Sequence, residues 1–196
     1  ERDRTYSNNI RARIRVSNVL VLAYKYLVDF PQITFLTMDI AQYILNRQIN
    51  KKNSKSIPKK FEGAWCELDP DALPTDGKIK LSEDVYVGIL YQTARALEAL
   101  GRARGMSMIP LVKGFEFLER FLREIDFSRM ELRYLVPIMD AIYVCFDAVS
   151  YDQSQKLLLP LAKRIREYAL SIDPEIKDLH TQEIVLKTKL LERRGL

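Results

Sequence analysis

The sequence carries one histidine, His180, and two cysteines, Cys66 and Cys145. Nucleophilic catalysis of the Ser/His/acid or Cys/His kind needs a base held within hydrogen-bond reach of the nucleophile in a preorganised setting. His180 lies near the end of the chain, beside Thr181, and reads as a partly exposed histidine at a helix start. Cys145 stands in the apolar run Tyr143-Val144-Cys145-Phe146 and reads as a small buried hydrophobe. The two cysteines are far apart and form no CxxC pair, which argues against a disulfide framework or a zinc site. No HExxH, GxxxxGK[ST] or GxGxxG occurs, so zinc-protease and nucleotide-phosphate chemistries find no support. Glu67, Asp69, Asp71 and Asp76-Gly77 invite a calcium reading. Counted from Asp69, however, the fifth position of such a loop is Leu73 and the sixth is Pro74, where an oxygen donor and a glycine are required. A solvated acidic loop accounts for them better. The expectation is therefore a non-enzymatic chain with no cofactor, metal or small-molecule substrate.

The remaining candidates concern binding. Net charge is +5, and it is uneven. Residues 1–60 hold 12 Lys/Arg against 4 Asp/Glu, a balance of +8, and the rest holds 19 against 22, a balance of −3. On an expected first helix, Arg11, Arg15, Asn18 and Lys25 share one stripe by their spacing. The run from Lys51 to Lys60 adds Lys51, Lys52, Lys55, Lys59 and Lys60. Folded together, these form a surface that a phosphate backbone would reward through counterion release. Aromatic residues for base stacking do not interleave with the lysines, so a solvated basic face is the competing account. The same run also fits the loose pattern of a nuclear import signal. Phe61, Trp65 and Leu68, set among acids, have the composition of a docking peptide, because aromatic anchors dominate interface energetics. Equally, they fold back and cap the chain's own core. In the last helix, Ile176, Leu179, Leu186 and Leu190 make one apolar stripe while Ile184 and Leu191 lie on another. A terminal helix apolar on two sides invites a partner or a second copy. The leading expectation is a scaffold or adaptor domain in a larger assembly, binding proteins through Phe61, Trp65, Leu68, Leu186 and Leu190. The alternative is a nucleic-acid-binding module using Arg11, Arg15 and the lysine run.

These residues must be positioned by helices. Apolar residues recur at helical spacing over about 9–30 and 35–50. A Pro-containing irregular stretch follows over 51–81, longer than structureless loops usually run. Ser82 is an expected N-cap, followed by a helix with Tyr86, Leu90, Thr93, Leu97 and Leu100 on one face and Gly101 and Gly105 at its exit. Leu111, Phe115, Leu118, Leu122 and Ile125 define an amphipathic helix. The stretch 129–149 is apolar nearly all round, which marks a central helix, with Pro137 expected to kink it. A helix over 152–172 follows, with Leu158, Leu161, Ile165, Tyr168 and Ile172 inward and Pro160 inside. Thr181 is expected to cap the last helix. About seven helices joined mostly by short turns predict an all-α bundle or a short stack of antiparallel helical hairpins. We read a single domain, with a basic hairpin (1–50), an insertion (51–81) and a main bundle (82–196). Leu97-Glu98-Ala99-Leu100-Gly101 faintly echoes a tetratricopeptide unit, but no period of about 34 residues follows. The longest apolar stretches are interrupted by Lys25 and Asp140, short of a membrane span. Low cysteine use and the absence of a signal peptide predict an intracellular protein, cytoplasmic or nuclear. The chain opens on Glu1, which suggests a piece of a longer protein.

Overall fold

The computed structural model describes residues 39, 41–50, 61–65, 83–103, 107–124 and 130–195. Among them the chain is all helical and contains no strand, as the periodicity predicts. Six helices follow one another: α1 (Glu83–Arg102), α2 (Met108–Glu124), α3 (Leu132–Cys145), α4 (Tyr151–Gln153), α5 (Leu159–Ile172) and α6 (Leu179–Arg194). The expected first helix, Ser82, Gly105 and the lysine run lie outside the described residues. Of the expected second helix, residues 41–45 are described as helical.

The apolar α3 is the centre. It packs on α1, α5 and α6, and its Leu135, Ile138, Met139, Ala141, Ile142 and Cys145 are all buried. Gly101 stands in the last turn of α1, at its exit as expected. A Cβ there would come 2.4 Å from the Cys145 Sγ, so the glycine is what lets α1 and α3 approach this closely. The ion pairs step in one direction along α3 and α6, Asp140 with Lys187 and Asp147 with Arg194. These two helices therefore run parallel, with α5 packed against both.

Three boundaries differ from expectation, each for a local reason. The expected 35–50 helix stops at Leu45. The Trp65 indole Nε1–H donates to the Ile44 carbonyl at 2.7 Å, and the backbone tightens to three-residue bonds, Arg47 to Ile44 and Gln48 to Leu45. Thr181 is not the cap of α6. The Asp178 carboxylate accepts from the His180 and Thr181 amides, and Thr181 is buried in the first turn. Pro160 is absorbed without ending the helix. The chain starts on a capping box between Ser150 and Gln153 and runs as α4, a π-helical stretch Ser154–Leu158 and then α5, with Pro160 in the first turn of α5. A π bulge relieves the clash that proline makes with the preceding turn. Ile172, expected inward, is exposed at the end of α5.

The segment 61–65 is clamped over α1 and α2. Ile49 and Gly63 pair their backbones, Gly63 N–H to Ile49 O and Ile49 N–H to Ala64 O, both at 2.9 Å. The Gln48 amide donates to Gly63 O at 3.0 Å and to Pro110 O at 2.8 Å. Gly63 holds φ +95°, and a Cβ there would lie 2.2 Å from the Lys113 carbonyl oxygen. Position 63 thus needs glycine twice, for its backbone angle and for its contact. We expect Gly63→Ala to destabilise the fold by about 2–4 kcal/mol. Chemical denaturation followed by circular dichroism checks this, and an unchanged midpoint would refute the clamp.

Candidate partner-binding face

Two candidate binding segments were expected, and the structure treats them differently. Phe61 and Trp65 are 0% exposed. Trp65 inserts between α1 and α2, where Gly114 leaves room: a Cβ on Gly114 would meet Leu97 and Trp65 within 3.0 Å. One hydroxyl satisfies both backbone groups of Trp65, since Thr93 Oγ1 accepts from its N–H at 3.0 Å and donates to its C=O at 3.2 Å. Arg120 reaches across to donate to Glu62 O at 3.1 Å. The docking-peptide expectation is thereby corrected for Phe61 and Trp65. Their apolar area is spent on the chain's own core, because that core offers a matched cavity and partners for every polar atom of the tryptophan. Leu68 lies outside the described residues, as do Arg11, Arg15, Lys51, Lys52, Lys55, Lys59 and Lys60.

Helix α6 is apolar on two sides. Thr181, Ile184, Val185, Thr188 and Leu191 are buried against α3 and α5. On the opposite face Leu179 is 76% and Leu186 58% exposed, and Leu190 is half-buried. Seven residues separate Leu179 from Leu186, two helical turns, so they stand in line. Ile176 does not join this stripe. It precedes the helix, in a left-handed backbone conformation with φ 56°, and its carbonyl accepts from the Gln182 amide at 3.1 Å. Lys189 and Arg193 continue the outward face, both exposed and neither in an ion pair with a described residue.

The other cations of α6 are committed. Arg194 donates to the Tyr143 hydroxyl at 2.8 Å, lies over its ring at 4.3 Å and pairs with Asp147 at 3.3 Å. Lys187 is held between Asp140 and Glu183. Asp140 also meets Arg95 at 3.4 Å, and Arg95 pairs with Glu98 at 2.6 Å, which in turn binds Arg102 at 2.7 Å. Six charges of alternating sign thus run from α1 across α3 to α6, three of each sign. Burial alone would pull the Lys187 pKa down, but the Asp140 and Glu183 carboxylates outweigh it and hold it above its ordinary value. This network was not foreseen. Its one sequence signal is Glu98, flanked by arginines three residues before and four after, on a helix otherwise rich in alanine and leucine.

Of the two cysteines and the histidine, Cys145 and His180 lie among the described residues. The Cys145 thiol is fully buried and donates to Leu97 O at 3.2 Å. Burial first, and Glu98 second, push its pKa far up, so the thiolate is disfavoured. His180 is exposed in the first turn of α6, beside its cap. Among the described residues no cluster of His, Cys, Asp or Glu could hold a metal ion, and no helix is long and apolar enough to cross a membrane. Comparison with protein-family models, with curated proteins and with solved structures finds no match for this chain.

The ion network yields a stability prediction. In a double-mutant cycle of Asp140→Asn and Lys187→Met, we expect a coupling of about 1–2 kcal/mol. Because the folded pKa of Lys187 is raised, its contribution is complete below the unfolded lysine value and is lost as pH climbs through the folded one. Equilibrium unfolding should therefore show a steeper alkaline loss of stability in the wild-type chain than in Lys187→Met. Equal slopes would count against the pairing.

Proposed function

We propose that this chain is a non-enzymatic helical scaffold or adaptor domain that binds a protein partner within a larger assembly. The observation that carries this reading is the second apolar side of α6. Leu179 and Leu186 hold their area in water on a helix whose opposite side is already fully packed. Single exposed leucines are ordinary on protein surfaces. An aligned pair continued by cations that pair with no described residue is a coherent face, and an apolar centre with a polar rim is the usual anatomy of an interface. The inert settings of Cys145 and His180 support the non-enzymatic half of the proposal. So does the charge network, whose six members are engaged with one another.

A photo-crosslinking amino acid placed at Gln182, on this face, should give a discrete protein adduct in cells of the source organism. The same probe at Glu116, exposed on α2, should not. Adding Leu186→Ser should abolish the Gln182 adduct while leaving the unfolding free energy within about 0.5 kcal/mol of the parent, as for other surface changes. Equal adducts at both probes, or an adduct indifferent to Leu186→Ser, would reject the assignment.

A further inference from the structure

Resting on the scaffold reading, we infer that the outer face of α6 receives an acidic amphipathic helix of a partner protein, laid antiparallel to α6. The face is graded along its length. Its first half carries Leu179 and Leu186; its second half adds Lys189 and Arg193 beside the half-buried Leu190. From Leu179 to Arg193 the stripe is about 21 Å long at 1.5 Å per residue, enough for four turns of a docked helix.

The charge on this stripe is what identifies the occupant. Glu183 is engaged by Lys187 and Glu192 by Arg166 and Lys163, so both acids of α6 are neutralised on its flanks. Near the start of the helix, Asp178 is occupied as the cap, Asp173 accepts from the Asp178 amide, and Glu175 pairs with Lys177. Lys189 and Arg193 have no ion pair with any described residue and face outward in line with the leucines. A partner of matching chemistry presents apolar side chains to Leu179 and Leu186 and carboxylates to Lys189 and Arg193. The carboxylates then belong at the partner end that lies over the end of α6. A helix tolerates acids best in its first turns, where its dipole favours them. Its N-terminus therefore sits over Arg193, which sets the antiparallel sense.

A second copy of this chain fits the face poorly. Laid parallel, it would bring Lys189 and Arg193 against their own equivalents. Laid antiparallel, it would set Arg193 over Leu179, where the nearby carboxylates are already engaged by the chain's own backbone and by Lys177.

The test uses three designed helical peptides of equal length with the same leucine spacing. Their N-terminal halves carry glutamate, glutamine or lysine. Binding to the full chain is read by fluorescence anisotropy at several salt concentrations. The glutamate peptide should bind at least tenfold tighter than the glutamine peptide, as expected of two matched charges. It should also weaken with salt. The charge reversal K189E with R193E should invert the order, so that the lysine peptide binds best. Leu186→Ser should weaken all three peptides. Both variants change exposed residues and should retain the parent circular dichroism spectrum. Equal binding of the glutamate and glutamine peptides, with Leu186→Ser still damaging, would overturn the acidic partner and leave the scaffold reading standing. Binding of none, together with loss of the Gln182 crosslink, would overturn both. A concentration-dependent dimer in sedimentation, abolished by Leu186→Ser, would assign the face to a second copy and overturn the inference.

Discussion

A nearly all-apolar helix has to be covered over much of its surface, and α3 imposes that demand on its neighbours. Leu135, Ile138, Met139, Ile142 and Cys145 form one stripe at helical spacing, Pro137 and Ala141 widen it, and all are buried. Covering them takes α1, α5 and α6. The contact with α1 depends on the absence of one Cβ, at Gly101 against Cys145. Close packing of this kind leaves little tolerance for added volume. The orientation of α6 follows from α3 as well, because Asp140 on α3 and Asp147 just beyond its end pair in register with Lys187 and Arg194. The face that α6 turns outward is thus set by what it must cover inward.

The covering helices divide their surfaces by the same logic. On α6 the short, branched and small polar side chains, Thr181, Ile184, Val185, Thr188 and Leu191, lie inward, where the approach to α3 and α5 is tight. The long flexible cations lie at the edges and outside. Lys187 and Arg194 bend back to anionic or aromatic groups of α3, which leaves Lys189 and Arg193 to define the charge of the outer face. The network through Arg95, Glu98 and Asp140 plays a different part. Its members are mutually paired and mostly shielded, so it fixes which helices neighbour each other without projecting a field into solvent.

Local periodicity made much of the bundle legible. Leu111, Phe115, Leu118 and Leu122 read as one face of a helix and are all buried. The all-apolar stretch around Met139 read as central, and it is. The two stripes of the last helix were separable by spacing: the structure buries Ile184 and Leu191 and exposes Leu179 and Leu186, while Leu190 is half-buried and Ile176 precedes the helix. What periodicity could not show is closure between residues distant in sequence. Trp65 has no periodic neighbours, so its composition looked the same as a docking anchor or a core plug. The choice rests on Thr93 and Gly114, 28 and 49 positions further along the chain. The cap of α6 was misplaced for a smaller reason. Asp178 and Thr181 are both good capping residues, and only the burial of Thr181 against the bundle tells them apart. The lysine run, Arg11 and Arg15 lie outside the described residues, so the fold adds nothing to the reading of the basic first third.

The seat of Trp65 also joins parts of the chain that are distant in sequence. Its backbone is received by α1, its ring lies against Gly114 of α2, and its indole N–H ends the 41–45 helix. Gln48 spans 62 positions to reach Pro110. Contacts of such long sequence separation cost loop entropy before they return any energy. The 61–65 segment is therefore a keystone: one tryptophan ties the 41–45 helix, α1 and α2 into a single seam.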